Sequence, residues 1–587
     1  MTQTFHSIWP VRGVDRYVDV MTSQEVRPDL DRPDLDHPVI VVGAGLSGLA
    51  TALGVALRGG RAIVLESSDL LGGAAAYSGG MVWVGANHVE AREGIEDDLT
   101  LAEAYVRDLT KDHPELLDEA AMRRWLEVAP EAMEYWENVG AIRWEIIPDL
   151  ADYHSEAKGA LDVGRYLTNA VIDGGELGEW RSLLRVSPNF PVGMTYAEMH
   201  LKGRRSSSLA TEEDEEIATH AGVPAFGKTD VSSPAAAEGD PLTFGTGVVA
   251  SFLARALRET SIDIRLSTRV TELVTDDSGS VIGVSTEGPD GVQELRGPVV
   301  LATSTYDWNP ELVEEFLGLG PDDFSSLAPT SLTGDGITMA RAVGADVAYV
   351  PPTRVPIVPG WNSRSDTGVS NGPEYALPHC LMVDRQGRRF CDDSYWVTIV
   401  RGALNPEDRH LPFFLIWDEQ HHRKYGLGLT PPGGEYPEEF VMQADDFGTL
   451  GAMLDIDGEE LGRTIARFNE GAAQGEDPEF GRGSVPFILR FAGDPNHEPN
   501  PVLGPLTEPP FYGTRLKFVG TGIGSSGLRA DSEGRVLSTT GAPITGLYAA
   551  GSVAALTTMG SGYNSGFALG RGLTMAYLIA QELVPIA

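Results

Sequence analysis

The chain has 587 residues, 42% hydrophobic and 22% charged, with 44 lysines and arginines against 85 aspartates and glutamates, a formal net charge of −41. That length accommodates two or more cores, and the composition excludes a wholly disordered, collagenous or coiled-coil chain. An acidic surface of this kind repels nucleic acid and anionic lipid, so neither is expected as a partner.

Residues 1–37 form an N-terminal extension in which aspartate, arginine and proline stand where a secretory signal needs an apolar run. Val39 to Leu57 is apolar enough to raise the question of a bilayer span. Gly43, Gly45 and Gly48 divide it, however, and it reads as strand, turn and helix. Val39-Ile40-Val41-Val42 is the unbroken apolar run of a strand buried on both faces. Gly43-Ala44-Gly45-Leu46-Ser47-Gly48 follows, a G-x-G-x-x-G turn, then a helical pattern from Leu49 to Arg58 and a second strand from Arg61 to Leu65. Glu66 closes that strand 23 residues after Gly43. Gly43 permits the tight turn, Gly45 close approach of a pyrophosphate, and Gly48 close helix–strand packing, while Glu66 accepts from ribose hydroxyls. The pattern predicts a dinucleotide site.

Leu71-Gly72-Gly73-Ala74-Ala75-Ala76-Tyr77-Ser78-Gly79-Gly80 is a second glycine- and serine-rich stretch just past the ribose acid. A nicotinamide dinucleotide has no use for another ring-hugging loop there, whereas a flavin with its ribityl arm does, so the expected cofactor is FAD. At this point the sequence resembles the flavoprotein family of 3-ketosteroid Δ1-dehydrogenases and soluble fumarate reductases. The resemblance runs on through Thr268-Arg269-Val270-Thr271-Glu272-Leu273, Val299-Val300-Leu301-Ala302-Thr303, Thr333-Gly334-Asp335-Gly336 and Gly546-Leu547-Tyr548-Ala549-Ala550-Gly551-Ser552. It implies cofactor contacts from Gly43, Gly45, Ser47, Gly48, Glu66, Gly72, Gly73, Ala74, Ser78, Gly79, Gly80, Val270, Ala302, Asp335, Gly551, Ser552, Gly566 and Leu569.

The implied fold is α/β: a Rossmann-type FAD-binding domain over 38–303, an inserted α+β substrate (capping) domain over 304–500, and a return to the FAD-binding domain over 501–587. The polar, acidic stretch 205–240 reads as a solvated loop or cover. Respiratory relatives attach FAD through a histidine before the second glycine-rich loop. Asp69-Leu70-Leu71-Gly72 contains none, so the FAD is expected to be non-covalent. Cys380 and Cys391, separated by ten residues, form neither a metal-ligand spacing nor a disulfide framework, which fits a reducing cytoplasm. No iron–sulfur or haem-attachment spacing occurs, so electrons must leave to a separate acceptor such as a quinone, a dye or oxygen.

The ketosteroid enzymes remove an α-proton with one tyrosine assisted by another. A third tyrosine and a backbone N–H hold the ketone oxygen, since an unassisted α-proton is too weakly acidic to lose. Asp152-Tyr153 with Gly164-Arg165 resembles the family's Asp-Tyr…Gly-Arg segment and makes Tyr153 the assisting tyrosine. Gly562-Tyr563-Asn564-Ser565-Gly566-Phe567-Ala568-Leu569-Gly570 resembles the carbonyl-binding segment, with Tyr563 and Gly566 as donors. It is one residue shorter than in the ketosteroid enzymes and lacks their Pro-Gly after the tyrosine. The family segment preceding the proton-abstracting tyrosine is matched by Arg388-Arg389-Phe390-Cys391-Asp392-Asp393-Ser394, but the tyrosine's position holds Val397. Tyr395, two residues earlier and on the same face if the segment is a strand, and Tyr196 are the two candidates for the base.

A changed base points to a substrate other than a steroid, and small cyclic ketones, as handled by the related cyclohexanone dehydrogenases, are the natural choice. Trp83, Trp308, Phe390 and Trp396 are candidate pocket aromatics. His88, His154, His200, His379, His421 and His422 read as structural. The expected activity is FAD-dependent α,β-desaturation of a small apolar ketone. The alternatives are an ene-reductase of the fumarate or urocanate type, for which Arg401 and His379 are available, and a flavin subunit of an electron-transfer complex.

Overall fold

The computed structural model describes residues 37–111, 113–188, 190, 193–196, 239–351, 357–365, 367–560 and 562–585. Most of the acidic stretch 205–240, with His200, lies outside the described residues. Val39–Val42, the helix Leu46–Leu57 and Ala62–Leu65 form the predicted strand–turn–helix–strand. Both strands belong to a six-stranded sheet ordered Arg535–Leu537, Pro543–Ala549, Val299–Leu301, Val39–Val42, Ala62–Leu65, Ile262–Arg265. Every pair is parallel except the first.

Ile40 and Val41 are fully buried, which explains the unbroken apolar run: the helix Leu46–Leu57 packs on this sheet, and the antiparallel strand Val281–Gly288 packs against Val299–Leu301 and Pro543–Ala549. Each such side chain contributes roughly 1.5–3 kcal/mol on burial. The helix Leu46–Leu57 packs against Phe244–Ala256 and Phe567–Leu583. A three-stranded antiparallel sheet, Arg269–Thr275, Val281–Gly288 and Gly291–Arg296, leads into Val299–Leu301.

The second large sheet runs Val369–Ser370, Ile357–Asn362, Phe511–Gly520, Phe413–Asp418, Cys380–Asp384. Its central strand, Phe511–Gly520, comes from beyond residue 500, so the chain leaves this sheet only after Gly520. Beneath it the Arg389 guanidinium meets both Asp393 (2.9 Å) and Asp477 (2.8 Å). Arg482 bonds Asp393 (3.1 Å) and the carbonyls of Tyr375 and Leu377. Arg482 thereby holds the turn Pro373–Ala376, which forms one wall of the cavity described below. Among the described residues no helix is long and apolar enough to cross a membrane.

Candidate functional site

A cavity of about 640 Å³ lies at the carboxyl ends of the parallel strands. Four helices begin beside it, after Gly45, Gly72, Gly334 and Gly566, and none of these starts carries a side-chain cap. Other helices are capped by Asn87, Asp98, Asp118, Asn309, Asp418, Asp446 and Asp457, although those that begin after Thr243, Tyr395 and Val485 also lack a side-chain cap. With glycine in place of a capping oxygen, the first amides of a helix are available to an anion. An ideal Cβ on Gly45 meets no protein atom nearer than 3.9 Å and would project into the cavity. On Gly48 it would lie 2.0 Å from Gly43 O, so Gly48 is packed behind the wall. The donor set and this glycine cradle fit a dinucleotide.

Gly43, Gly45, Ser47 and Glu66 line one end of the cavity, with Val270, Ala302 and Asp335 beside them. Glu66 Oε2 accepts from Ala44 N (2.9 Å) and Oε1 from Ser68 N (3.0 Å), so the acid fastens the turn as well as facing the cavity. Gly73, Ala74, Ser78, Gly79 and Gly80 supply a second wall, and Gly551, Ser552, Gly566 and Leu569 a third. Gly72 and Gly48 do not reach the lining. Asp335 pairs with Arg269 at 2.5 Å.

The other end is aromatic. Tyr153, Tyr196, Tyr563, Phe190, Trp396 and Phe491 face it. Of the other candidate aromatics, Trp83 is fully buried and stacks on Tyr105 and Trp125, Trp308 bonds Ala328 O, and Phe390 stacks on His410. Tyr395 is absent from the lining, although Ser394 and Trp396 on either side of it are present. The reason is local: Tyr395 lies on extended backbone just before the helix Trp396–Ala403, so its side chain points away from those of Ser394 and Trp396, and Val397, inside that helix, is absent from the lining too. The Tyr395 hydroxyl is buried without a partner among the described residues. His379 bonds Pro505 O and His421 bonds Pro378 O, while His88 meets Glu137, all structural contacts.

Burial raises the phenols of Tyr153, Tyr196 and Tyr563. Tyr153 is pushed up to about 12 by burial, with the nearby Ser565 hydroxyl opposing the rise. Tyr563 is raised further by burial and the nearby Tyr153, again with Ser565 opposing, and Tyr196 by burial and Tyr153. The Tyr196 hydroxyl donates to Gly79 O at 2.6 Å.

Two residues inside the recognised motif had escaped the sequence reading. Asn564, fully buried, accepts on Oδ1 from the Tyr105 hydroxyl (2.7 Å) and Tyr153 N (3.2 Å), and donates to Ser565 O (2.9 Å). It ties the Tyr563 loop to the Tyr153 segment. The available signal was an amide between two tyrosine-bearing segments, which alone does not say what it bonds. The Ser565 hydroxyl lies close enough to both Tyr153 and Tyr563 to oppose the effect of burial on each.

Behind Tyr153, Arg165 is clamped by Asp97 (2.7 and 2.8 Å) and Asp152 (2.9 Å), and Asp152 also accepts from Trp83 Nε1 at 2.6 Å. Glu90 sits beside this network, its carboxyl raised from 4.5 to about 8 mainly by burial, with Asp97 adding to the shift. The folded protein thus holds a proton that the unfolded chain releases above pH 4.5, and this site costs stability increasingly as pH rises from 4.5 to 8. Glu90→Gln, which cannot titrate, should match the parent at pH 5 and be more stable by about 1–3 kcal/mol at pH 8. Chemical denaturation at the two pH values measures the difference, and equal offsets at both would contradict it.

The chain matches the FAD binding domain family over residues 38–570. It is 29% identical over 575 residues to the 4-oxocyclohexanecarboxylate 2-dehydrogenase of Sinomonas cyclohexanicum, covering 94% of this chain and 93% of that one. It is 28% identical over 589 residues to a 3-oxosteroid 1-dehydrogenase of Mycobacterium tuberculosis, covering 93% and 98%. The crystal structure of 3-ketosteroid delta1-dehydrogenase from Sterolibacterium denitrificans, in complex with 1,4-androstadiene-3,17-dione, superposes with a TM-score of 0.80 at 25% identity, covering 93% and 99%.

Proposed function

The chain belongs to the FAD binding domain family, and from that premise we propose that it desaturates a cyclic ketone between its α- and β-carbons. It is a FAD-dependent oxidoreductase. The observation that carries the finer reading is the convergence of Tyr153, Tyr196, Tyr563 and Gly566 on the aromatic end of the dinucleotide cavity. Bound FAD, held without a covalent link by the glycine cradle, supplies the hydride acceptor.

Tyr563 and the Gly566 amide hold the ketone oxygen and make the α-carbon acidic. Of the two candidate bases Tyr196 is preferred, because it lines the cavity and Tyr395 does not. The α-proton passes to the Tyr196 phenolate oxygen, while Tyr153 assists and Ser565 keeps Tyr153 and Tyr563 in register. Because burial raises Tyr196, its phenolate fraction and hence the rate should climb toward alkaline pH. Arg269 is the one cation in the described lining, at the Asp335 end, so the described wall offers no clamp for a dicarboxylate. That favours desaturation over a fumarate-type reduction. The electrons then pass to a separate acceptor, a quinone, a dye or oxygen, and the two buried thiols Cys380 and Cys391 agree with a cytoplasmic site of action.

The test is anaerobic addition of cyclohexanone, 4-oxocyclohexanecarboxylate and a 3-ketosteroid to the yellow protein. At least one ketone should bleach the flavin band, faster at higher pH. If none does, while fumarate reoxidises dye-reduced protein, the enzyme is a reductase and the tyrosine roles are wrong.

A further inference from the structure

Arg571 lies in the second turn of the helix Phe567–Leu583 and is 4% exposed. Its guanidinium donates to the carbonyls of Ala555 (2.6 Å), Ala554 (2.6 Å) and Gly551 (3.0 Å), and its Nε has no partner among the described residues. Three other arginines are buried as deeply, and each meets aspartate: Arg165 with Asp97 and Asp152, Arg389 with Asp393 and Asp477, Arg482 with Asp393. Arg571 has no carboxylate within salt-bridge distance among the described residues. Burial lowers it to about 10, which still leaves it charged at neutral pH. A buried cation bonded only to carbonyls is costly unless another negative charge comes near.

The position of the charge indicates where that partner lies. Gly551, whose carbonyl takes the guanidinium, is pressed against the first turn of Leu46–Leu57: a Cβ on Gly551 would lie 2.6 Å from Ser47 Oγ. A Cβ on Gly572, next to Arg571, would lie 2.5 Å from the same atom. Ser47, Gly551 and Ser552 all face the cavity where that uncapped helix presents its amides. The one cation in the described lining, Arg269, is already paired with Asp335. We infer that Arg571 is the buried counter-charge for the dinucleotide's diphosphate, acting through the thickness of the Gly551 turn at the start of the helix Leu46–Leu57. In a chain of net charge −41 this local positive field opposes the general repulsion of a doubly anionic ligand.

The experiment uses the full-length holoenzyme and the variants Arg571→Lys, Arg571→Gln and Arg571→Met. Bound FAD is displaced with ADP or with adenosine, and its release is read by flavin fluorescence. The ratio of the two displacement constants is independent of FAD affinity and reports the diphosphate alone. Gln and Met should weaken ADP relative to adenosine by about 10–100-fold, as loss of one charge facing an anion in a partly buried site does. Lys should retain most of the preference. Gln can still donate to the carbonyls, so it isolates charge from hydrogen bonding even where Met disturbs folding. Equal weakening of ADP and adenosine would make Arg571 a structural brace and overturn the inference. An unchanged ratio with a shifted FAD reduction potential would also overturn it, placing the charge at the ring instead.

Discussion

Replacing Tyr563 with phenylalanine should lower ketone turnover by about 10²–10³-fold, the usual cost of removing one oxyanion donor, with FAD content and fold unchanged. The expectation of an intact fold rests on how the loop is held. Asn564, not the Tyr563 hydroxyl, carries the bonds to Tyr105 and Tyr153. The Gly566 carbonyl accepts from Trp83 N at 3.1 Å, and a Cβ on Gly566 would lie 2.6 Å from that nitrogen, so the backbone at the helix start has little room to shift. The variant therefore loses a donor without losing the shape of the site. The loss should fall on turnover more than on KM, because the oxygen carries most negative charge after the α-proton has left. Stopped-flow reduction by the ketone measures the step directly, and wild-type rates in the variant would remove Tyr563 from the chemistry.

The second large effect is at the cofactor turn. A methyl group at Gly48 would sit 2.0 Å from Gly43 O and 3.1 Å from Gly43 C, both backbone atoms that cannot rotate away. Gly48→Ala must push the helix Leu46–Leu57 off its strand, moving the very amides that face the anion. Overpacking of this kind costs about 1–3 kcal/mol, and FAD retention should be lost with it. Gly45→Ala is the informative contrast, because its methyl meets no protein atom closer than 3.9 Å. That variant should keep its apoprotein stability and lose FAD. Flavin absorbance after desalting, together with thermal denaturation, separates the two outcomes. Full FAD occupancy in Gly48→Ala would mean that the turn is softer than its geometry.

The cofactor half of this protein is legible in consecutive residues. The strand Val39–Val42, the glycine turn, the helix and Glu66 are local: Gly48 is required by the backbone of Gly43 and Gly45 by the cavity, and only Gly43, with its positive φ, is also pressed by a distant residue, Ala302. Hydrophobic periodicity and turn chemistry act over such short distances, so they are written in consecutive residues. The second half of the site was legible as motifs but not as geometry. Tyr395 could be judged against Tyr196 only from which of the two side chains faces the cavity, and the extended backbone that turns Tyr395 away from it is set by packing rather than announced by the local residues.

Glu66 carried a double duty invisible in one dimension, since Ala44 N reaches it across the turn. Asn564 and Arg571 stood in plain view within or beside a recognised segment. Their meaning came from Tyr105, Tyr153 and Gly551, and the first two lie more than four hundred residues earlier in the chain. Phe511–Gly520 likewise became the centre of the second sheet only through partners drawn from four separate stretches of chain. Local chemistry thus fixed where the dinucleotide's turn is. Which tyrosines face it, and which buried charge stands behind it, was decided by long-range packing, because satisfying a buried polar group depends on whatever the fold brings within three ångströms of it.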